Sequence, residues 1–255
     1  MATPPPRRRL LGTSLKMYFD LPTTQSYITS LIPLSDPAQK AGIDLFVIPS
    51  FPSLIPSATL LSSTPIRLGA QDCSPFPSGA YTGDVSPLVL HQAGASLVVL
   101  GHAERRQHHG ETSTLVAAKA AAAVAHGLVP LICVGETQAP SHIASAAVGS
   151  AVAECKAQLA PVLQSLPDDA EIVVAYEPVW AIGAERPAGA DHVVAVTREL
   201  RRLTGARTGL VRILYGGSAG PGTFEAIKEG VDGLFLGRFA HDIKNLEQVI
   251  REMSE

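Results

Sequence analysis

Aromatic residues are scarce in this chain, at 5% of 255 residues with a single tryptophan, and charge is scarce as well, at 17% with a net charge of −3. That near balance excludes a basic surface able to track a nucleic-acid backbone. The one basic cluster, Arg7-Arg8-Arg9, is short and reads as a solvated entry to the first strand. No apolar run approaches the length needed to cross a bilayer, so no membrane partner is expected. The N-terminal stretch MATPPPRRRLL lacks the apolar centre of a secretory signal, and its prolines spoil an amphipathic transit helix. Cysteine is rare. Cys73, Cys133 and Cys155 are odd in number and lack metal-ligand spacing, which predicts free thiols in a reducing, cytoplasmic compartment and no metal site.

What is present is a large apolar fraction, 46%, enough to bury a sizeable core. A length of 255 residues suits one α/β domain, and no linker-like stretch divides the chain, so residues 1–255 are expected to form a single domain. Short apolar runs alternate with helix-like segments throughout, the pattern of a parallel sheet with crossover helices. The strand candidates are Arg9–Ser14, Leu45–Ile48, Ile66–Ala70, Leu97–Gly101, Val129–Val134, Glu171–Ala175, Val211–Tyr215 and Gly233–Gly237. The helix candidates are Thr23–Leu31, Leu54–Leu61, Pro87–Ala93, Thr112–His126, Ser141–Leu166, Asp191–Thr204, Pro221–Glu229 and Asn245–Met253. Eight such pairs favour a closed (β/α)8 barrel, in which the residue after each strand faces a common mouth. The stretch Ser74–Pro87 is long and rich in proline and glycine for a barrel loop, which marks it as functional or interfacial.

The strand ends supply a coherent chemistry. Lys16 follows the first strand, His102 and Glu104 the fourth, Glu177 the sixth, Gly216-Gly217-Ser218 the seventh and Gly237-Arg238 the eighth. Singly, each has an ordinary structural explanation: a surface ammonium, a satisfied loop histidine, a capping carboxylate, a tight turn. Their joint arrival at one mouth has none. Backbone amides around Gly216, Gly217, Ser218 and Gly237 would form a phosphate cup. Beside it, Glu177 would remove a proton, His102 would donate to a carbonyl oxygen and Lys16 would stabilise negative charge, the set required for enolisation next to a carbonyl. A helical turn starting at His102 would disfavour the imidazolium. Pro178 ends the sixth strand, and Val179-Trp180-Ala181-Ile182-Gly183 forms an apolar tip suited to a lid that excludes water.

With these residues in view, the chain resembles the triosephosphate isomerase family. The matching segments are Leu15–Met17, Gly69–Gln71, Gly79–Pro87, Leu100–Arg106, Pro130–Thr137, Ala175–Gly183, Tyr215–Ser218 and Asp232–Arg238. The resemblance implies a TIM barrel with Glu177 as base, His102 as electrophile, Lys16 as electrostatic stabiliser and Glu104 as a carboxylate supporting Lys16. It also implies phosphate contacts at Gly183, Ser218 and Gly237, no cofactor, and a small phosphorylated sugar as substrate. A homodimer is expected through the 74–87 loop, with Thr82 approaching Lys16 or Glu104 of the other subunit.

The chain departs from that family at Ser14, where an asparagine is expected, and at Ala103, Ala184–Pro187 and Arg238. The combination of Ser14, the Pro187-containing lid, Gly220-Pro221-Gly222 and Gly237-Arg238 resembles the relatives that isomerise four-carbon ketose phosphates. The reading placed first is the glycolytic and gluconeogenic interconversion of dihydroxyacetone phosphate and glyceraldehyde 3-phosphate. The second keeps the chemistry and takes erythrulose 1-phosphate to erythrulose 4-phosphate. A phosphosugar-binding scaffold without turnover, and a Schiff-base aldolase using Lys16, are weaker alternatives.

Overall fold

The computed structural model describes residues 7–139, 144–182 and 188–255. Its strands are β1 (Arg9–Ser14), β2 (Ile43–Ile48), β3 (Arg67–Ala70), β4 (Leu97–Leu100), β5 (Val129–Val134), β6 (Ile172–Tyr176), β7 (Val211–Tyr215) and β8 (Gly233–Leu236). Each pairs in parallel with the next, and β8 returns to β1 in the register Thr13↔Leu236, so the sheet closes into the expected eight-stranded barrel. Closure leaves no edge strand, and it puts every strand's carboxyl end at the same rim.

Around it run α1 (Leu21–Leu31), α2 (Ser35–Lys40), α3 (Leu54–Leu61), α4 (Pro87–Gln92), α5 (Ala103–His109), α6 (Ser113–Ala125), α7 (Ala144–Ser165), α8 (Ala190–Thr204), α9 (Thr223–Ile227) and α10 (Ile243–Ser254). Two of these, α2 and α5, were not expected. The first is a six-residue helix with Pro37 in its first turn that buries only Ser35 and Ala38, and the second carries no buried residue, so neither has an apolar periodicity to read. The helix expected over Pro221–Glu229 shrinks to Thr223–Ile227, because Gly222 at its N-cap holds φ = 76° and keeps the preceding chain in a turn. The start of the helix expected from Ser141 lies outside the described residues. Among those described, no helix is long and apolar enough to cross a membrane.

Alternation along each strand splits the core in two. Side chains such as Leu10, Phe46, Leu97, Leu131, Val173 and Phe235 fill the barrel interior, and their alternates pack outward against the helices. The amino-terminal end of the barrel is closed by charge. There Arg212, 3% exposed, donates to Asp44 Oδ2 at 2.9 Å and to Glu171 Oε1 at 2.5 Å, and Arg67 reaches the same Glu171 oxygen at 2.9 Å. The opposite end is open and holds the candidate site.

Candidate active site

Glu177 is the first residue after β6, and it is buried at 3% exposure. Its Oε1 accepts from the Cys133 thiol at 3.5 Å, while Oε2 has no hydrogen-bond partner among the described residues. Burial pushes the carboxyl above the ordinary glutamate range, and His102, Cys133 and Lys16 only partly offset that. Two glycines give this residue its space. A Cβ on Gly135 would fall 1.8 Å from the Glu177 carbonyl oxygen, and one on Gly216 would fall 2.7 Å from its Cγ.

His102 caps α5: its Nδ1 accepts from the Glu104 backbone N–H at 3.2 Å. That bond requires a bare Nδ1 and leaves the ring proton on Nε2, the nitrogen 3.8 Å from Glu177 Oε2. The sequence expectation of a helical turn beginning at this histidine is thus met by a seven-residue helix.

Lys16 is held in a left-handed backbone conformation, φ = 48°, the one positive φ outside glycine among the described residues. Such strain persists only where the surroundings fix it. Here Gln71 Nε2 donates to the Lys16 carbonyl at 2.8 Å, the Lys16 N–H donates to Ser14 Oγ at 3.2 Å, and Nζ donates to Glu104 Oε1 at 2.5 Å. Glu104 responds: burial alone would raise it, but the contacts with Lys16 and His102 hold it below the usual carboxylate range.

These groups line one cavity of about 400 Å³ together with Ser14, Gly216, Gly217, Ser218, Gly237 and Arg238. Ser218 Oγ donates to the Ala181 carbonyl at 2.9 Å, so the cup and the segment after the base are tied together. Gly237 opens a 3-10 turn over Arg238–His241 rather than leading directly to α10, and the amides available on that side belong to this tighter turn. Arg238 is exposed, its guanidinium 5.9 Å from the Tyr18 ring.

Of the lid candidates, Pro178 is buried and caps a 3-10 turn over Val179–Ala181. Trp180 Nε1 donates to Glu136 Oε1 at 2.8 Å, and Ile182 is 36% exposed at the cavity. Gly183 and the Ala184–Pro187 half lie outside the described residues. In the 74–87 loop, Phe76 and Tyr81 stack with ring centroids 4.2 Å apart yet stay 45% and 43% exposed.

Cys133, Gln71, Glu136 and His192 belong to this site's framework and were not singled out from the sequence. Cys133 was legible in principle, since it sits one residue before the end of β5 on the inward face. Glu136 lies within the matching segment Pro130–Thr137 and at the same offset from its strand as Lys16, but nothing in the sequence marks His192 as its partner. They are 56 positions apart in sequence and meet at 3.1 Å only in the fold.

The family model described as triosephosphate isomerase matches residues 9–253. The chain is 42% identical over 248 residues to a protein of Pectobacterium atrosepticum named L-erythrulose-1-phosphate isomerase, covering 92% of each chain. A protein of the same name from Mesorhizobium japonicum is 42% identical over 237 residues, covering 90% of this chain and 91% of its own. Another from Brucella abortus is 38% identical over 249 residues, covering 94% of each. With a closed eight-stranded barrel, and with Lys16, His102 and Glu177 gathered at its carboxyl rim, the chain belongs to the triosephosphate isomerase family and is an isomerase of that family.

Proposed function

We propose that this chain interconverts L-erythrulose 1-phosphate and erythrulose 4-phosphate, moving the carbonyl from C2 to C3 of a four-carbon ketose phosphate. The observation that carries this substrate is the 42% identity, across 92% of each chain, to a relative named for it. It moves ahead of the three-carbon reading, which Lys16, His102 and Glu177 fit equally but the relatives' names do not support. No glycolytic role is therefore assigned.

In the proposed reaction the phosphate rests on the amides of Gly217, Ser218 and Gly237, with the ketose directed toward Glu177. Glu177 removes the proton on C3 as His102 donates its Nε2 proton to the oxygen on C2, and Lys16 stabilises the negative charge that develops on the enediolate. The protonated Glu177 then returns its proton to C2, and the proton on the C3 hydroxyl passes back through His102. One C–H and one O–H are broken and one of each is formed, so the step is redox-neutral overall and needs no cofactor. The uncommitted Glu177 oxygen and the Nε2 proton of His102 support these roles. Closure of Val179–Gly183 would keep water from an enediolate that can otherwise expel phosphate.

We also infer a homodimer through the 74–87 loop, supported by the exposed Phe76–Tyr81 stack, with Thr82 approaching the partner's Lys16 or the partner's Glu104. A cytoplasmic setting is supported by three free, buried thiols. The test is turnover of erythrulose 1-phosphate and dihydroxyacetone phosphate side by side, with carbonyl position followed by carbon NMR. We expect kcat/KM at least about tenfold higher for the four-carbon substrate, the scale of one differential contact. A preference for the three-carbon phosphate would overturn the assignment.

A further inference from the structure

The two flanks of the segment that follows the base meet on one carboxylate. Glu136, buried beyond the end of β5, accepts from Trp180 Nε1 at 2.8 Å through Oε1 and from the Tyr176 hydroxyl at 3.0 Å through both oxygens. His192 Nε2 stands 3.1 Å from the same Oε1 and 3.1 Å from the Tyr176 oxygen. Trp180 precedes the segment 183–187 and His192, in the first turn of α8, follows it. The indole and imidazole rings lie edge to face, centroids 6.3 Å apart. A carboxylate oxygen offers about two lone-pair sites, and three donors stand within reach of this one. Strengthening one of these bonds therefore weakens another.

We propose that His192 is a positioning residue for the lid: by sharing Glu136 Oε1 with the Trp180 indole, it sets how firmly the hinge beside Glu177 is held, and its charge state tunes that hold. This deepens the proposed function and rests on the reading of Val179–Gly183 as the lid. A protonated imidazole beside a buried carboxylate forms a charge-assisted bond stronger than one to a neutral indole, so gain of a proton draws Glu136 toward His192 and loosens Trp180. Around His192 the charged and titratable groups are Glu136 after β5 and Tyr176 on β6, with Tyr215 of β7 and Cys155 of α7 beside Tyr176. Glu154 of α7 adjoins Cys155, and Asp191 is the neighbour of His192 on α8. Glu136 is the carboxylate in direct contact. Burial would raise it, but the bonds from His192 and Trp180 hold it below the ordinary range, so it remains the anionic partner that both rings address.

Trp180 is the only tryptophan in the sequence, so emission excited at the red edge of the indole band, where the five tyrosines do not absorb, reports this hinge alone. The experiment titrates emission from about pH 5 to 8, where histidine charge changes, in the wild type, His192→Gln and His192→Ala. Each is measured free and with saturating erythrulose 1-phosphate or, separately, dihydroxyacetone phosphate. Wild-type emission is expected to fall as pH is lowered, because imidazolium quenches a neighbouring indole, and the change on substrate addition should itself depend on pH. His192→Gln keeps an N–H donor but cannot titrate, so it should retain the substrate-induced change and lose its pH dependence. His192→Ala should lower kcat by about threefold to tenfold with KM altered less than about twofold, the scale of one shared hydrogen bond, and Gln should restore most of it. Identical emission titrations in wild type and His192→Gln would overturn the proposal while leaving the lid reading intact. Emission indifferent to both substrates in an enzyme that turns one of them over would remove the lid reading and this proposal with it.

Discussion

Strand β6 is bracketed by two glutamates, and they live in opposite electrostatic worlds. Glu171, at the amino-terminal end of the barrel, is clasped by Arg67 and Arg212; burial would raise its carboxyl, but the two guanidinium groups hold it below the ordinary range. Glu177, at the other end, is more deeply buried, has one oxygen without a hydrogen-bond partner among the described residues, and is raised. Five intervening residues of one strand separate a carboxylate whose charge is neutralised from one whose charge is left costly. The difference follows from the ends of the barrel: one is plugged by paired charge and the other is kept open, with glycines rather than arginines around the carboxylate. A group left unsatisfied in the folded state is reactive, and the stability for that is supplied elsewhere.

The largest expected effect breaks the reactive end. Glu177→Gln should lower kcat by about 10²–10⁴ with KM little changed, because it removes the proton acceptor and spares the phosphate cup; retention of more than half the wild-type turnover would contradict its assignment as base. The same variant should unfold at a higher temperature than the wild type at pH 8. The raised carboxyl contributes stability below the unfolded glutamate value and loses it as pH rises through the folded value, so the advantage of the glutamine should shrink toward pH 4.

Arg212→Met breaks the plugged end. It leaves Glu171 and Asp44 short of a partner, and because these carboxylates are 31% and 30% exposed the loss should be discounted from the fully buried case to about 2–3 kcal/mol. Urea unfolding measures it, and kcat should stay within about twofold, since the plug lies at the far end of the barrel from the chemistry. Glu171 has the opposite sign to Glu177: its stabilisation is present above the unfolded value and is lost as pH falls through the lowered one. Wild-type stability should therefore decline more steeply into acid than that of Arg212→Met.

A smaller effect sharpens the comparison in the working enzyme. kcat/KM should fall on the acid side with a midpoint above the ordinary glutamate value, because Glu177 must be ionised to accept a proton and burial raises it. An acid limb centred at or below that value would mean that the open end does not perturb its carboxylate as the geometry indicates. The smallest effect concerns substrate length. Ser14→Asn with Arg238→Gly should shift the kcat/KM ratio toward the three-carbon phosphate by about tenfold, the equivalent of 1.4 kcal/mol. An unchanged ratio in the single and double variants would place the length discrimination outside these two positions.

Periodicity and punctuation made the barrel legible: β1, β5 and β7 lie where the alternation put them, β6 is shifted by one residue at both ends, and the other strands differ by a residue or two at one end. A local rule, that the residue after a barrel strand faces the mouth, was enough to gather Lys16, His102, Glu177 and the two glycine turns, because that rule depends on position along the chain and not on distant partners. Two short helices escaped for lack of an apolar face to pattern them, since α2 buries only Ser35 and Ala38 and α5 buries nothing, and α9 was overestimated because Gly222 at its N-cap delayed its start. The left-handed backbone of Lys16, the thiol on Glu177, the tautomer of His102 and the meeting of Glu136 with His192 depend on groups brought together from separate strands and helices. Residue order thus determined which chemical groups stand at the rim. Only closure of the barrel decided which of them are buried without a partner, since desolvation and pairing are properties of three-dimensional neighbours that a linear pattern does not encode.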